Sequence, residues 1–182
     1  MSALLATFAP FPFRMVRGAN DRVWAEDGRE FIDLYGGHCV CVTGHCHPHV
    51  VKAIQDQAEK LVFYSTAGDL EIRERAAAVL ADASGLDSVF FCNSGAEANE
   101  NALKIATKIT GRTRFAAFEG GWHGRAILPL SVTDDPAISL PYTEFLAPCE
   151  RLPRDERAFS ADFSEIAAVI LEPIQSISGV QE

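Results

Sequence analysis

The 182-residue sequence predicts an α/β fold, a mostly parallel sheet with flanking helices. Three observations predict it. Short, almost wholly apolar runs at Val89–Cys92, Thr113–Phe118 and Ile166–Leu171 read as strands buried on both faces, as parallel strands are. Helical periodicities or long crossovers separate these runs, the alternation that builds a parallel sheet. Each run also stops at a polar loop: Asn93-Ser94-Gly95, Glu119 to Arg125 and Glu172 to Gln175. Open α/β sheets bind ligands at that edge.

In chain order, residues 1–14 carry Pro10 and Pro12 among phenylalanines, the pattern of an extended arm that packs on something else, with subunit contact as one use. Residues 23–34 alternate apolar positions about Asp27-Gly28, which predicts a β-hairpin with a two-residue turn. Between His38 and His49 lie Cys39, Cys41, His45, Cys46 and His47, a tempting zinc cluster. The spacing lacks the Cys-x-x-Cys pairs of the common frameworks, and Val40 and Val42 interleave with the cysteines. A packed turn leading through Pro48 into a helix is the better reading. That helix runs over 48–62 with Val51, Ile54, Ala58 and Leu61 on its apolar face. A second covers 69–83 with Leu70, Ala77 and Leu80 inward and Gly85 closing it. From Ala96 a third helix places Ala98, Ala102, Ile105, Ala106 and Ile109 on one face and ends at Gly111. Residues 134–157, with four prolines and mixed charge, read as a surface excursion.

Composition narrows the function classes. The chain is 48% hydrophobic with net charge −9, and its basic residues form no run longer than a pair, which argues against nucleic acid and anionic membranes as partners. The apolar N-terminus lacks a basic flank and contains two prolines, so it makes a poor signal peptide, and no later run reaches transmembrane length. Five cysteines at irregular spacing do not form a disulfide framework, and a reduced, cytoplasmic setting is expected.

The most chemically specific stretch is Phe90 to Glu100. An apolar run, a Ser94-Gly95 turn and a helix N-terminus aim free backbone N–H groups and the positive end of a helix dipole at one spot. A phosphate suits that spot, with the Ser94 hydroxyl as a further donor. An ordinary turn with Ser94 as N-cap is the plainer alternative.

Asn93 to Lys104 resembles the phosphate-binding segment of class III (acetylornithine- and ornithine-type) aminotransferases. Four further stretches match in order: the hairpin Trp24 to Asp33 with Arg17-Gly18 before it, Gly44-His45-Cys46-His47-Pro48, Trp122-His123-Gly124-Arg125, and Leu171-Glu172-Pro173-Ile174-Gln175. The resemblance runs from about Arg17 to the last residue. It implies pyridoxal-phosphate-dependent transferase fold type I, the aspartate-aminotransferase-like fold, with an incomplete large domain. Residues 1–60 would be arm, hairpin and linking helix, part of a small domain, and 61–182 the N-terminal portion of the cofactor-binding domain. It implies pyridoxal 5'-phosphate as cofactor, its phosphate held by Ser94, Gly95 and Ala96, its ring stacked on Trp122 and approached by Glu172. Arg125 would bind the substrate carboxylate, for which a guanidinium fork is suited. His123 reads as a structural loop residue. The reaction implied is amino-group transfer between an amino acid or ω-amine and a 2-oxo acid, in a homodimer. The arm and Phe63-Tyr64-Ser65-Thr66 are candidates for reaching the neighbouring subunit.

Two departures from the family pattern qualify this. The Schiff-base lysine and the aspartate that pairs with the pyridine nitrogen are expected C-terminal to Glu182, so no catalytic residue of that kind lies in this chain. Lys52, Lys60, Lys104 and Lys108 match no lysine motif. The chain therefore reads as the N-terminal part of a longer enzyme, or one half of a split one, inactive alone. Other chemistry on the same scaffold (a mutase, decarboxylase or racemase) and a non-catalytic partner subunit remain alternatives. Ile177 also stands where acetylornithine- and ornithine-like members carry a glutamate that pairs with a switching arginine, which predicts a different donor and acceptor pair.

Overall fold

The computed structural model describes residue 5 and residues 9–180; most of the N-terminal arm and the expectations resting on Glu182 lie outside these. The chain forms two compact units, residues 1–78 and 79–182.

The first unit holds an antiparallel sheet of β1 (Met15–Ala19), β2 (Arg22–Ala25) and β3 (Glu30–Ile32), in that order. The hairpin forms with Val23 opposite Phe31 and Trp24 opposite Glu30. Its loop has three residues rather than two. Ala25 N–H donates to Arg29 O (2.9 Å), and Gly28 takes φ +86°, the left-handed closing residue that a type I turn with a bulge requires. The arm packs on this sheet: Phe13 stacks on Phe31 at 4.7 Å and Phe11 on Phe13 at 5.5 Å. Asp33 then organises the next loop. Its carboxylate accepts from Tyr35, Gly36 and Gly37 N–H at 3.0–3.1 Å and from His45 Nε2 at 2.6 Å. The His45 bond, assisted by those backbone donors, holds the Asp33 carboxyl below its ordinary range. α1 (Gly36–Cys39) is one turn with Gly37 and His38 left-handed. α2 (Pro48–Lys60) and α3 (Glu71–Ser84) form where periodicity places them, α2 entered through Pro48 at its first turn. Their expected inward faces are not buried: Ile54 is 63% and Leu80 48% exposed, and neither helix has a buried residue.

The second unit carries the main core. α4 (Gly95–Thr110) leads to β4 (Arg114–Phe118), the middle strand of a parallel sheet ordered β5-β4-β6, with β5 Cys149–Leu152 and β6 Ile166–Ile170. Strand geometry sends alternate β4 side chains to opposite faces. Phe115 and Ala117 pack with Leu103 and Val132 on one face, and Ala116 packs with Leu152, Ala158 and Ile166 on the other. Both faces being covered is the reason β4 reads as a continuous apolar run. Between β4 and β5 the chain forms α5 (Ile127–Val132), α6 (Pro136–Ser139) and a 3-10 turn, Leu140–Phe145; a second 3-10 turn, Glu156–Ser160, precedes β6. The guanidinium of Arg151 on β5 donates to Ser131 O, Val132 O and Thr133 O at 3.1, 2.9 and 2.8 Å, satisfying carbonyls at the end of α5.

Three expectations fail here. Residues 89–92 pair with no described strand, and Phe90 and Phe91 are 70% and 45% exposed rather than buried. An apolar run becomes a strand only with a neighbour to complete its ladder, and the described sheet offers none beside it. α4 buries the face of Ala96, Asn99, Glu100 and Leu103, while Ile105 and Ile109 of the expected face are 52% and 78% exposed. The helix has two candidate apolar stripes, and the polar pair Asn99 and Glu100 finds partners that draw the other one inward. The surface excursion contains β5, which pairs with β4 at the edge of the described sheet, because a short run after Pro148 carries Leu152 into the core.

Candidate active site

The parallel sheet fixes the place. All three strands end on one edge, and the loops leaving it are tied together. Glu119 N–H donates to Leu152 O (2.9 Å), linking the loops after β4 and β5. Gln175, 5% exposed, donates to Glu119 O (3.1 Å) and accepts from Arg154 Nη1 (3.1 Å) and Ser178 Oγ (2.9 Å). Glu172 accepts from the backbone N–H of Trp122 at 2.7 Å, locking the end of β6 to the loop after β4. A cavity of about 330 Å³ opens at this edge, lined by Phe118, Arg154, Phe159, Leu171, Glu172 and Gln175 among others.

The start of α4 comes to the same loop. Ser94 is the N-cap: its backbone is extended (φ −149°, ψ 159°) and its Oγ accepts from Glu97 N–H at 3.1 Å. Glu97 returns the favour by accepting from Asn93 N–H at 2.6 Å, a variant of the capping box. The plainer sequence reading is thus present in the geometry, and it leaves the anion-binding one intact. The cap uses one lone pair of Ser94 and leaves its hydroxyl hydrogen to donate. The N–H groups of Gly95 and Ala96, in the first turn, have no intrahelical acceptor. A Cβ built on Gly95 would meet nothing within 4 Å, so the space over these donors is open. A phosphate fits there, at the positive end of a 16-residue helix.

Gly124 joins the two halves. It takes φ +125°, and a Cβ on it would lie 2.9 Å from Ala96 Cβ, so only glycine lets the loop rest on the helix N-terminus. Two polar side chains of α4 hold the loop there: Asn99 Nδ2 donates to His123 O (2.8 Å), and Glu100 accepts from Leu128 N–H (3.0 Å). His123 N–H donates to Thr133 Oγ1 at 2.9 Å. The His123 ring is 5% exposed and its Nε2 has no hydrogen-bond partner; burial pushes its pKa below the ordinary value, with Glu172 opposing, so the ring is neutral at pH 7.

The sequence-predicted residues therefore fall as follows. Ser94, Gly95 and Ala96 form the capped start of α4, the Trp122–Arg125 loop lies against it through Gly124, and Trp122 is half-buried with its backbone N–H on Glu172. Arg125 is exposed and lines a second cavity with Ile127, Leu130, Ile138, Pro141 and Tyr142. The described lysines are elsewhere. Lys52 and Lys104 pair with Asp56 and Glu100 on their own helices, and Lys60 and Lys108 lie in the last turns of α2 and α4. Sequence reasoning assigned no role to Asn99, Glu100, Gly124 or Gln175. The signal for Asn99 and Glu100 was available: polar residues spaced three and four from Ala96 and Leu103 stand on a face that must be buried.

Comparison with known proteins places this arrangement. A family model described as aminotransferase class-III matches residues 6–182. Acetylornithine aminotransferase of Methanopyrus kandleri is 43% identical over 182 residues, covering 96% of this chain and 46% of the relative, and that of Halalkalibacterium halodurans is 36% identical, covering 99% and 47%. Ornithine aminotransferase of Toxoplasma gondii superposes with a TM-score of 0.89 at 28% identity, over 98% of this chain and 44% of that one. Taurine:2-oxoglutarate aminotransferase of Bifidobacterium kashiwanohense shares the fold, with a TM-score of 0.83 at 23% identity over 96% and 45%. The chain spans about half the length of the curated relatives it matches.

Proposed function

The chain belongs to the class-III aminotransferase family, and we propose that it supplies the phosphate- and ring-holding part of a pyridoxal 5'-phosphate-dependent enzyme that transfers an amino group to or from a 2-oxo acid. The observation that carries this is the contact of Gly124 with Ala96, which sets an aromatic loop against a helix N-terminus with open space over Gly95. The residues fit the cofactor. Gly95 and Ala96 N–H and the Ser94 hydroxyl hold its phosphate, and Trp122 offers a flat apolar face to its ring. Bound there, the cofactor supplies the electron sink and the carbonyl that receives an amino group. Glu172 fixes the backbone of Trp122 and so the height of the ring-stacking face. Buried, neutral His123 closes the floor of the loop without adding charge. Arg125 receives the substrate carboxylate.

Described lysines occupy other places, so the residue that anchors the cofactor comes from further chain, in the same or a companion polypeptide, and this segment alone does not transaminate. A homodimer is the proposed assembly. Its support is the run Val62, Phe63 and Tyr64, 86%, 78% and 54% exposed, an apolar patch suited to a subunit contact. A reduced, cytoplasmic setting is proposed from the five irregularly spaced cysteines of the sequence; among the described residues no helix is long and apolar enough to cross a membrane. Ile177, 61% exposed, offers no charge to a switching arginine, which supports a donor and acceptor pair other than acetylornithine with 2-oxoglutarate. An acceptor screen of the longer enzyme in which that pair is best would overturn this part.

The test of the main reading compares pyridoxal 5'-phosphate with pyridoxal on a Trp24→Phe chain, following fluorescence of Trp122. Quenching by the phosphate ester alone, competed by inorganic phosphate, is expected. Equal affinity for pyridoxal would sink it.

A further inference from the structure

Resting on that reading, we propose that His123 is a proton-sensitive positioning residue: its neutral ring props the Trp122 loop, and taking up a proton frees that loop from Glu172. The ring lies against the loop it props. A Cβ on Gly121 would lie 2.9 Å from His123 Nε2 and 3.0 Å from Phe118 O, so the imidazole presses on backbone one residue before Trp122. Gly121 is itself fixed, its N–H donating to Phe118 O (3.1 Å) and its carbonyl accepting from Asp134 N–H (2.8 Å). The backbone of His123 is pinned from two helices. Its carbonyl accepts from Asn99 Nδ2 of α4, and its N–H donates to Thr133 Oγ1, a fully buried group that closes α5.

Gly121, Asn99 and Thr133 have no charge to gain or lose, and the ring does. As a neutral imidazole it leaves a buried Nε2 without a hydrogen-bond partner among the described residues, a tolerable state for an uncharged atom. As an imidazolium it has a donor at each nitrogen, and a buried charged donor demands an acceptor. The charged groups around it decide which. Burial does most to lower the ring's pKa; Glu172 at the end of β6 pulls it up, and Arg151 on β5, 3.7 Å from Asp134, pushes it down. On α4, Glu100 is engaged by Leu128 N–H and Lys104 Nζ at 3.0 and 3.1 Å. Glu172 is therefore the acceptor that a charged ring draws.

That choice has a consequence for the ring-holding face. Glu172 Oε1 accepts from Trp122 N–H at 2.7 Å, and a carboxylate turned toward His123 gives up this bond. The sign follows from the lowered pKa. Hold on the cofactor ring is complete above the native pKa of His123 and is lost as pH falls through it. The start of α4 keeps its own cap, Ser94 Oγ on Glu97 N–H, so hold on a phosphate alone does not share this loss.

The experiment follows the isotope-labelled Trp24→Phe chain from about pH 8 to about pH 5, the range over which histidine changes charge, first without ligand. The His123 imidazole carbons and the Trp122 amide are expected to titrate with one midpoint. The Trp122 response should vanish in His123→Phe, and Glu172→Gln, which keeps an acceptor and removes the charge, should move the midpoint to lower pH. A Trp122 amide that ignores the His123 midpoint, or titrates unchanged in His123→Phe, would overturn the proposal. Leu103 and Val132 methyl signals report whether His123→Phe keeps the core; if it does not, an unchanged midpoint in Glu172→Gln overturns the proposal by itself. 4-Deoxypyridoxine 5'-phosphate, which carries ring and phosphate but no aldehyde, then reads the effect on binding. Each chain is compared with its own affinity at the alkaline end, so ionisation of the ligand cancels. The parent chain should lose affinity more steeply than His123→Phe, the excess approaching about tenfold per pH unit below the midpoint, and inorganic phosphate should show no excess. No excess for the ring-bearing probe, or an equal one for inorganic phosphate, counts against the proposal. Coupled titration without binding of either probe overturns the cofactor reading and leaves the loop switch. Binding of the ring-bearing probe without coupled titration overturns the switch alone.

Discussion

Replacing Gly95 by alanine should move stability and cofactor affinity in opposite directions. Gly95 opens α4 without a left-handed backbone, and a Cβ placed on it meets no atom within 4 Å. Alanine is therefore sterically free in the chain itself, and it restricts the unfolded state, which stabilises by about 0.4–1 kcal/mol. For a unit of this size that corresponds to a melting temperature higher by roughly 2–8 °C. The same methyl enters the space over the Gly95 and Ala96 N–H groups, where the phosphate is proposed to sit. Losing one hydrogen bond to a charged group costs about 1.5–3 kcal/mol, which is roughly a 10- to 150-fold weaker dissociation constant. Differential scanning fluorimetry and the Trp122 quenching titration read the two effects on one sample. A raised melting temperature with unchanged affinity would refute the cradle, and the opposed signs exclude misfolding as the cause of a lost affinity.

Three further outcomes follow from the same geometry. Leu103→Ala removes a side chain that is 2% exposed and packed on Phe115, Ala117 and Val132, and should cost about 2–5 kcal/mol in urea unfolding; a loss below about 1 kcal/mol would contradict the assigned core. Arg151→Met leaves the buried carbonyls of Ser131, Val132 and Thr133 without their donor and should cost on the order of 3 kcal/mol, with the denaturation midpoint falling at constant slope. His123 has a lowered pKa in the folded chain, so above about pH 6.5 it is neutral in both states and contributes no pH dependence. As pH falls from there toward its native value, only the unfolded chain takes the proton. Stability then drops by up to about 1.4 kcal/mol per pH unit. His123→Asn should remove that component of the slope, and an unchanged profile would show that the ring is charged or exposed.

The sequence by itself determined the local vocabulary of this protein. Pro48, Gly85 and Gly111 set helix limits to within about two residues, as expected when caps and breakers act over one turn. The apolar run of β4 was legible because burial on both faces leaves no polar position, and that of β6 was legible from composition although its Val169 is 44% exposed. The capped helix start at Ser94, where the phosphate is proposed to sit, was legible too, since a Ser-Gly turn entering a helix exposes donors whatever surrounds it. Tertiary structure alone decided which apolar surfaces find partners. Residues 89–92 have the composition of a strand and no ladder neighbour among the described residues, and α4 turns inward the stripe that carries Asn99 and Glu100. That choice depends on Leu128 N–H and His123 O arriving from a loop more than twenty residues away. The approach of Gly124 to Ala96, and the separate cavity that Arg125 lines, are likewise distances between distant segments. Periodicity and turn chemistry carry no information about such distances, because only close packing sets them.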